Sequence, residues 1–397
     1  MKSINQTIKI QIILSILVFS WMGTLAQSNN ARDSQTIAID SKILGEKRKI
    51  RIQLPSGMNQ YDAYPVLYLL DGEVFSTMVG GQVQYLSEAY KIIPNMIIVG
   101  IENRDRMKDL TPTHTDKGPD GNTDTSARSP FHNSGGGEKF LQFIQTEVMP
   151  LVETRYKTAP FRMLAGHSLG GLMAIYCLLQ HPEMFNAYIA ISPSLQWDDQ
   201  SLLKSVGARL TNKKLENKFL FYSDANEDAG FHQNQVTLDS IFQKAKAPFT
   251  YKRSFYPEET HISEPVKAFY DGIRFIYPSW HMPFNSSAFR KTLNNKIIRE
   301  HYAQLTRAYH YDVFPLHDEV VAIARFLRND TARTRDAIEL LQSNLVHYPT
   351  SPVLLETLGD TYLKAGDKKA AKENFSKALL IDPASESLQK KMKTADL

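Results

Sequence analysis

Hydrophobic residues in the first two thirds of the chain fall into short unbroken runs separated by amphipathic stretches. Positions 65–70, 95–100, 161–165 and 187–191 are apolar along almost their whole length. Runs of that kind belong to strands covered on both faces. Positions 218–222 and 250–255 continue the series, and 35–43 with 47–54 reads as an opening hairpin around Leu44-Gly45-Glu46. Helical spacing fills the intervals, near 76–90, 137–153, 169–180, 232–246 and 263–277. Strands alternating with helices predict an α/β fold with a mainly parallel sheet. Ligands of such sheets bind beyond the carboxyl ends of the strands.

Two stretches break the alternation. Residues 102–136 lack periodicity and are rich in Asp, Thr, Gly, Ser and Pro. A loop this long is read as a flap facing the substrate. Beyond 284 the strand signals stop, and 296–309 and 318–328 are helical. Leu355, Leu358, Gly359, Tyr362, Ala371, Phe375, Ala378 and Pro383 then fall on the tetratricopeptide spacing. A weaker upstream unit ends at Pro349, 34 residues before Pro383. About two units are too few to stand alone, so the repeats are expected to pack on the α/β domain or on a second copy of the chain. The expected division is a leader over 1–26, an α/β domain over 27–283, a helical linker over 284–317 and repeats over 318–397.

Composition narrows the class. The chain has 397 residues and a formal net charge of +4, to which Lys2 and Lys9 of the leader contribute two. A near-neutral remainder without charge runs argues against a nucleic-acid partner. Residues 10–22 form a short apolar core behind that basic start, and Thr24-Leu25-Ala26 supplies small residues before Gln27. This is the pattern of a secretory signal, too short for a comfortable membrane span. The expectation is an exported protein, periplasmic or secreted, without stable membrane insertion. The single cysteine, Cys177, excludes an intrachain disulfide and reads as a small core residue.

The chemistry centres on Gly166-His167-Ser168-Leu169-Gly170, which ends an apolar run and opens a helical one. A strand, a sharp turn carrying serine and a helix make a nucleophile elbow. Serine needs a base to take its proton, an acid to orient that base, and amide donors for the oxyanion. Of eleven histidines, His261 follows the last strand and precedes the closing helix, where this topology carries its base. His167 adjoins the serine but points away from it, and His181 ends the elbow helix. The loop after 218–222 holds Asp224, Glu227 and Asp228. Glu227 is preferred for its reach, with Asp228 and Asp224 behind it. The oxyanion donors expected are the amides of Leu169 and of Gly72 or Glu73, in the loop after 65–70.

In order along the chain stand Val66-Leu67-Tyr68-Leu69-Leu70-Asp71-Gly72, Val99-Gly100-Ile101-Glu102-Asn103, Leu110-Thr111-Pro112, the elbow with Gly171, and Ile191-Ser192-Pro193-Ser194. Together they resemble the Putative esterase family, which includes esterase D, feruloyl esterases, bacterial mycolyl transferases and siderophore esterases of the ferric-enterobactin type. The resemblance covers roughly 35–280. It implies an α/β-hydrolase fold, a Ser-His-acid triad and no cofactor or metal. Asp71-Gly72, where some relatives have His-Gly, is similar to the siderophore-esterase branch, in which the acid matches Glu227 better than Asp224. Arg104 and Arg106 lie near the family's Asn-Arg pattern and are candidates to receive an anionic substrate.

The resulting expectation is a serine hydrolase of carboxylic esters, acting on a small-molecule ester. Its rivals are a siderophore trilactone esterase, an acyltransferase of the same fold, and a scaffold protein that binds through its repeats. The repeats are the expected contact for a protein partner or for self-association.

Overall fold

A computed structural model describes residues 34–118, 122–284 and 286–395. The leader expected at 1–26 lies outside the described residues.

Eight strands form one sheet in the order β1-β2-β4-β3-β5-β6-β7-β8. They are β1 (Ser34–Ser41), β2 (Glu46–Gln53), β3 (Tyr64–Leu70), β4 (Ile97–Ile101), β5 (Thr158–His167), β6 (Ala187–Ile191), β7 (Phe219–Ala225) and β8 (Thr250–Tyr256). β1 and β2 pair antiparallel, β2 meets β4 antiparallel, and every other pairing is parallel. This is the α/β-hydrolase architecture expected from the alternation. Helices cover both faces: α1 (Gly72–Gln84), α2 (Gly137–Phe143), α3 (Met149–Arg155), α4 (Leu169–Gln180), α5 (Trp197–Arg209), α6 (Ala229–Ala245) and α7 (Glu264–Ile276).

Side-chain alternation along β3 explains why its run is wholly apolar. Val66, Tyr68 and Leu70 face a core shared with α2 to α6, while Leu67 and Leu69 face a second core against α1 and α7. Neither face meets water, so no polar residue is tolerated at any position. Cys177 lies buried in the first of these cores, as expected.

Helix α5 was not anticipated. Its first turn carries Asp198, Asp199 and Gln200 at φ between 50° and 62°, a conformation that helical spacing cannot signal. Trp197 anchors it, donating from Nε1 to the Thr113 carbonyl at 3.1 Å and packing on Phe131. Those contacts tie the parts of the long 102–136 segment around Thr113 and Phe131 to α5.

The C-terminal third is all helical, with α8 (Asn295–Tyr309), α9 (His317–Arg328), α10 (Thr334–Asn344), α11 (Pro352–Lys364), α12 (Lys368–Ile381) and α13 (Glu386–Ala395). Leu355, Leu358, Ala371, Phe375 and Ala378 are all buried between these helices. The helices dock on the amino ends of the strands. Asp62, just before β3, accepts from the His317 N–H at 2.9 Å and the Tyr348 hydroxyl at 3.0 Å, and the Tyr61 ring stacks on His317 at 4.4 Å. A cleft of about 540 Å³ between this region and the sheet is lined by Tyr64, Ile93, Tyr302, Phe314 and Glu319. It lies at the strand ends opposite those that carry Ser168.

Candidate active site

Strand order reverses between β3 and β5: the chain runs outward to β4 on one side and to β6 on the other. The loops leaving the carboxyl ends of β3 and β5 therefore part, and a crevice opens between them. Ser168 stands there, between the end of β5 and the start of α4. Its φ is 60° and ψ −115°, a strained region for a residue with a side chain, at a cost of about 1–3 kcal/mol. Backbone bonds hold the strain: Ser168 N–H donates to the Ile191 carbonyl at 2.9 Å, and the Ser168 carbonyl accepts from Leu172 and Ser194. A Cβ at Gly166 would stand 2.5 Å from the Gly170 backbone, so the turn closes only with glycine there.

The turn after β3 abuts the elbow. Asp71 takes φ 52°, and α1 begins at Gly72. A Cβ at Gly72 would lie 2.4 Å from the Gly100 carbonyl carbon, so backbone packs on backbone. The amides of Gly72 and Glu73 on α1, and of Leu169 on α4, belong to first helical turns and have no carbonyl partner within their own helices. Arg106 locks this arrangement. Its Nε and Nη2 donate to Asp71 at 2.7 and 3.0 Å, and Nη2 also donates to the His167 carbonyl at 3.1 Å. Asn103 Nδ2 donates to Asp71 at 2.5 Å. Arg104 is exposed and pairs with Glu46 at 3.2 Å. Both arginines nominated for an anionic substrate thus have protein partners, and Arg106 acts as a brace between the two turns.

The three carboxylates after β7 have separate surroundings. Asp224 is buried between Arg253, at 2.9 Å, and His232 Nδ1, at 2.5 Å; burial raises its carboxyl against the pull of those two partners. Asp228 caps α6 by accepting from the Phe231 N–H at 2.9 Å. Glu227 Oε2 meets His261 Nδ1 at 3.0 Å. Sequence spacing left these three unseparated.

His261 packs on the ring of His167 with centroids 4.4 Å apart and against the edge of Phe231. Burial, then the neighbouring His261, pushes the His167 imidazole down to about 3, so it stays neutral. The Ser168 hydroxyl pairs with Ser194 Oγ at 3.2 Å, and no hydrogen bond joins it to His261 among the described residues. Three residues the sequence reading did not nominate complete the site. Ser194 partners the elbow hydroxyl, Ser192 contacts Glu227, and Glu264 contacts Ser192. The serines lie in the Ile191-Ser192-Pro193-Ser194 stretch already singled out as a motif, whereas Glu264 at the start of α7 carries only the signal of an ordinary helix opening.

Residues 41–245 match the family described as Putative esterase. The ferri-bacillibactin esterase BesA of Bacillus subtilis is 35% identical over 180 residues, 43% of this chain and 61% of that protein. The siderophore triacetylfusarinine C esterase of Aspergillus fumigatus is 30% identical over 162 residues, 38% of this chain and 51% of that one. The chain therefore spans about half to three fifths of the length of these curated relatives. An IroE-like serine hydrolase from Shewanella oneidensis superposes with a TM-score of 0.70 at 30% identity, covering 78% of this chain and 98% of that structure. With its elbow on a mainly parallel sheet and half its length matching one family, the chain belongs to the Putative esterase family of α/β-hydrolases.

Proposed function

We propose that the protein is a serine hydrolase of carboxylic esters and that its substrate is an ester-linked siderophore. The observation that carries the chemistry is the 3.0 Å contact of His261 Nδ1 with Glu227 at the rim that also holds Ser168 on its strained turn. Glu227 keeps the proton on Nδ1, which leaves Nε2 free to accept one. Ser168 Oγ attacks the ester carbonyl carbon as Nε2 takes its proton. The amides of Leu169 and of Gly72 or Glu73 stabilise the oxyanion. Collapse breaks the ester C–O bond, and the leaving alcohol takes the proton from His261. Water then adds to the acyl carbonyl, gives a proton to Nε2, and a second collapse frees the acid and returns the proton to Ser168. The Ser168–His261 contact forms as substrate displaces Ser194 from the hydroxyl, in keeping with catalytic hydrogen bonds that tighten only in the complex.

The relatives named as siderophore esterases support the substrate class. Export through the leader at 1–26 belongs to the same proposal, as does the division into 27–283, 284–317 and 318–397, with the tetratricopeptide-like helices bracing the esterase domain from below. The test is turnover of a catecholate trilactone, with and without bound iron, beside a panel of aryl esters. Cleavage of the trilactone at higher kcat/KM than any aryl ester is expected. Turnover of aryl esters alone would refute the siderophore assignment, and diversion of product by an added alcohol would indicate acyl transfer. Arg106→Ala, which frees the Asp71 turn, is expected to lower kcat by roughly 100-fold, the scale of one lost oxyanion donor, with KM little changed.

A further inference from the structure

Ser192 stands immediately after β6 with φ 39° and is fully buried. Its hydroxyl meets Glu227 Oε1 at 2.5 Å and also contacts Glu264 Oε2. A hydroxyl has one proton and can donate to only one carboxylate. For both contacts to be hydrogen bonds, one carboxyl must itself carry a proton. Glu227 faces His261 with its other oxygen, so its charge has a partner. Glu264 has no cation in contact among the described residues and is 0% exposed. The proton therefore belongs on Glu264.

We propose that Glu264, as a neutral carboxylic acid, is the outer anchor of a hydrogen-bond chain that runs Glu264 to Ser192 to Glu227 to His261 and holds the Glu227 charge on the imidazole. The inference rests on the catalytic reading of Ser168, His261 and Glu227 given above. Glu264 is a positioning residue in this account, since it acts on His261 only through Ser192 and Glu227.

The surroundings agree. Burial pushes the Glu264 carboxyl up to about 7, the Ser192 and Ser223 hydroxyls pull the other way, and the charges of Glu227 and Asp224 raise it further. On β7, Asp224 is itself engaged by Arg253 of β8 and by His232 of α6. At the end of β8, Tyr256 donates to Asp271 of α7, and Lys267 of α7 lies over its ring. Beyond Glu227 stand His261 and the neutral His167. Loss of the Glu264 proton leaves one hydroxyl proton between two anions, so the chain fails as pH rises through the neutral range.

The linked stability has a definite sign. The carboxyl is raised from 4.5 to about 7 on folding, so the native state keeps a proton that the unfolded chain releases between those values. Stability from this group is full below that window and lost as pH rises through it.

The test compares Glu264→Gln, which keeps a neutral donor of the same shape, with Glu264→Ala and Ser192→Ala, which cut the chain. The expected results are near-wild-type kcat at pH 7 for Glu264→Gln, and a loss of roughly 10- to 100-fold for the other two, on the scale of outer-shell hydrogen bonds, with KM unchanged. The alkaline decline of wild-type kcat should vanish in Glu264→Gln. The infrared C=O stretch of a protonated carboxylic acid at pH 6 should be present in wild type and in Ser168→Ala, and absent in Glu264→Gln. Glu264→Gln as impaired as Glu264→Ala, or an infrared band unaltered by Glu264→Gln, overturns the proposal. The Ser168→Ala background keeps the two readings apart: activity surviving there refutes the esterase mechanism, while the infrared band reports on Glu264 whatever that outcome.

Discussion

Ser168→Ala is expected to remove ester turnover, lowering kcat by about 10⁴- to 10⁶-fold while substrate still binds. The size follows from what is deleted. Of the two positive-φ residues described in the crevice between β3 and β5, Asp71 has its carboxylate held by Arg106 and Asn103, and Ser168 alone carries a hydroxyl. His261→Ala should cost nearly as much, and the double variant little more than either alone, because a nucleophile without its base is as inert as a base without its nucleophile. Glu227→Gln should fall less far, since it leaves both reacting groups and alters only how the imidazole is held. The check is kcat and KM for a small aryl ester across the four variants, with a fluorophosphonate label on Ser168 read by mass spectrometry. Additive losses in the double variant would mean that the two residues act in separate steps.

The largest expected effect on stability lies at Asp109→Asn. Arg48 on β2 and Asp109 in the short helix Arg106–Asp109 form a two-pronged pair at 2.5 and 2.7 Å, with side chains 2% and 1% exposed. Glu46 makes a further contact with Arg48 at 2.6 Å, and the guanidinium lies over Phe140. Removing the Asp109 charge leaves a buried cation whose one remaining anion among the described residues, Glu46, is partly exposed and shared with Arg104. Breaking such a pair costs about 3–5 kcal/mol, whereas replacing both partners by apolar groups of like volume is often neutral. Urea midpoints should therefore drop sharply for Asp109→Asn and recover for the double variant Arg48→Met, Asp109→Leu. A small shift in the single variant would mean that water reaches the pair.

The particular elements that were legible in the sequence share a physical trait. Strands β3, β4 and β6 are covered on both faces, and burial on both sides leaves only apolar side chains acceptable, so their runs stand out. The elbow was legible because strand, strained turn and helix are consecutive in the chain and each leaves its own local mark. His261 was nominated from chain order and from its place after the last strand, and the fold sets it against Glu227. By contrast, α5 opens with three left-handed residues that mimic a loop, and Arg106 was read as a candidate for an anionic substrate when the fold makes it a brace. Its partners, Asp71 and the His167 carbonyl, lie 35 and 61 positions away along the chain.

The order of strands and helices, the elbow and the helical character of the C-terminal third were written into periodicity and spacing, because burial and backbone geometry act on neighbours along the chain. Which of Asp224, Glu227 and Asp228 meets His261, that Ser192 links two glutamates, and that Arg106 braces the turns were settled only by folding. Those outcomes depend on side-chain directions and on distances across strands, and a linear pattern of residue types carries neither.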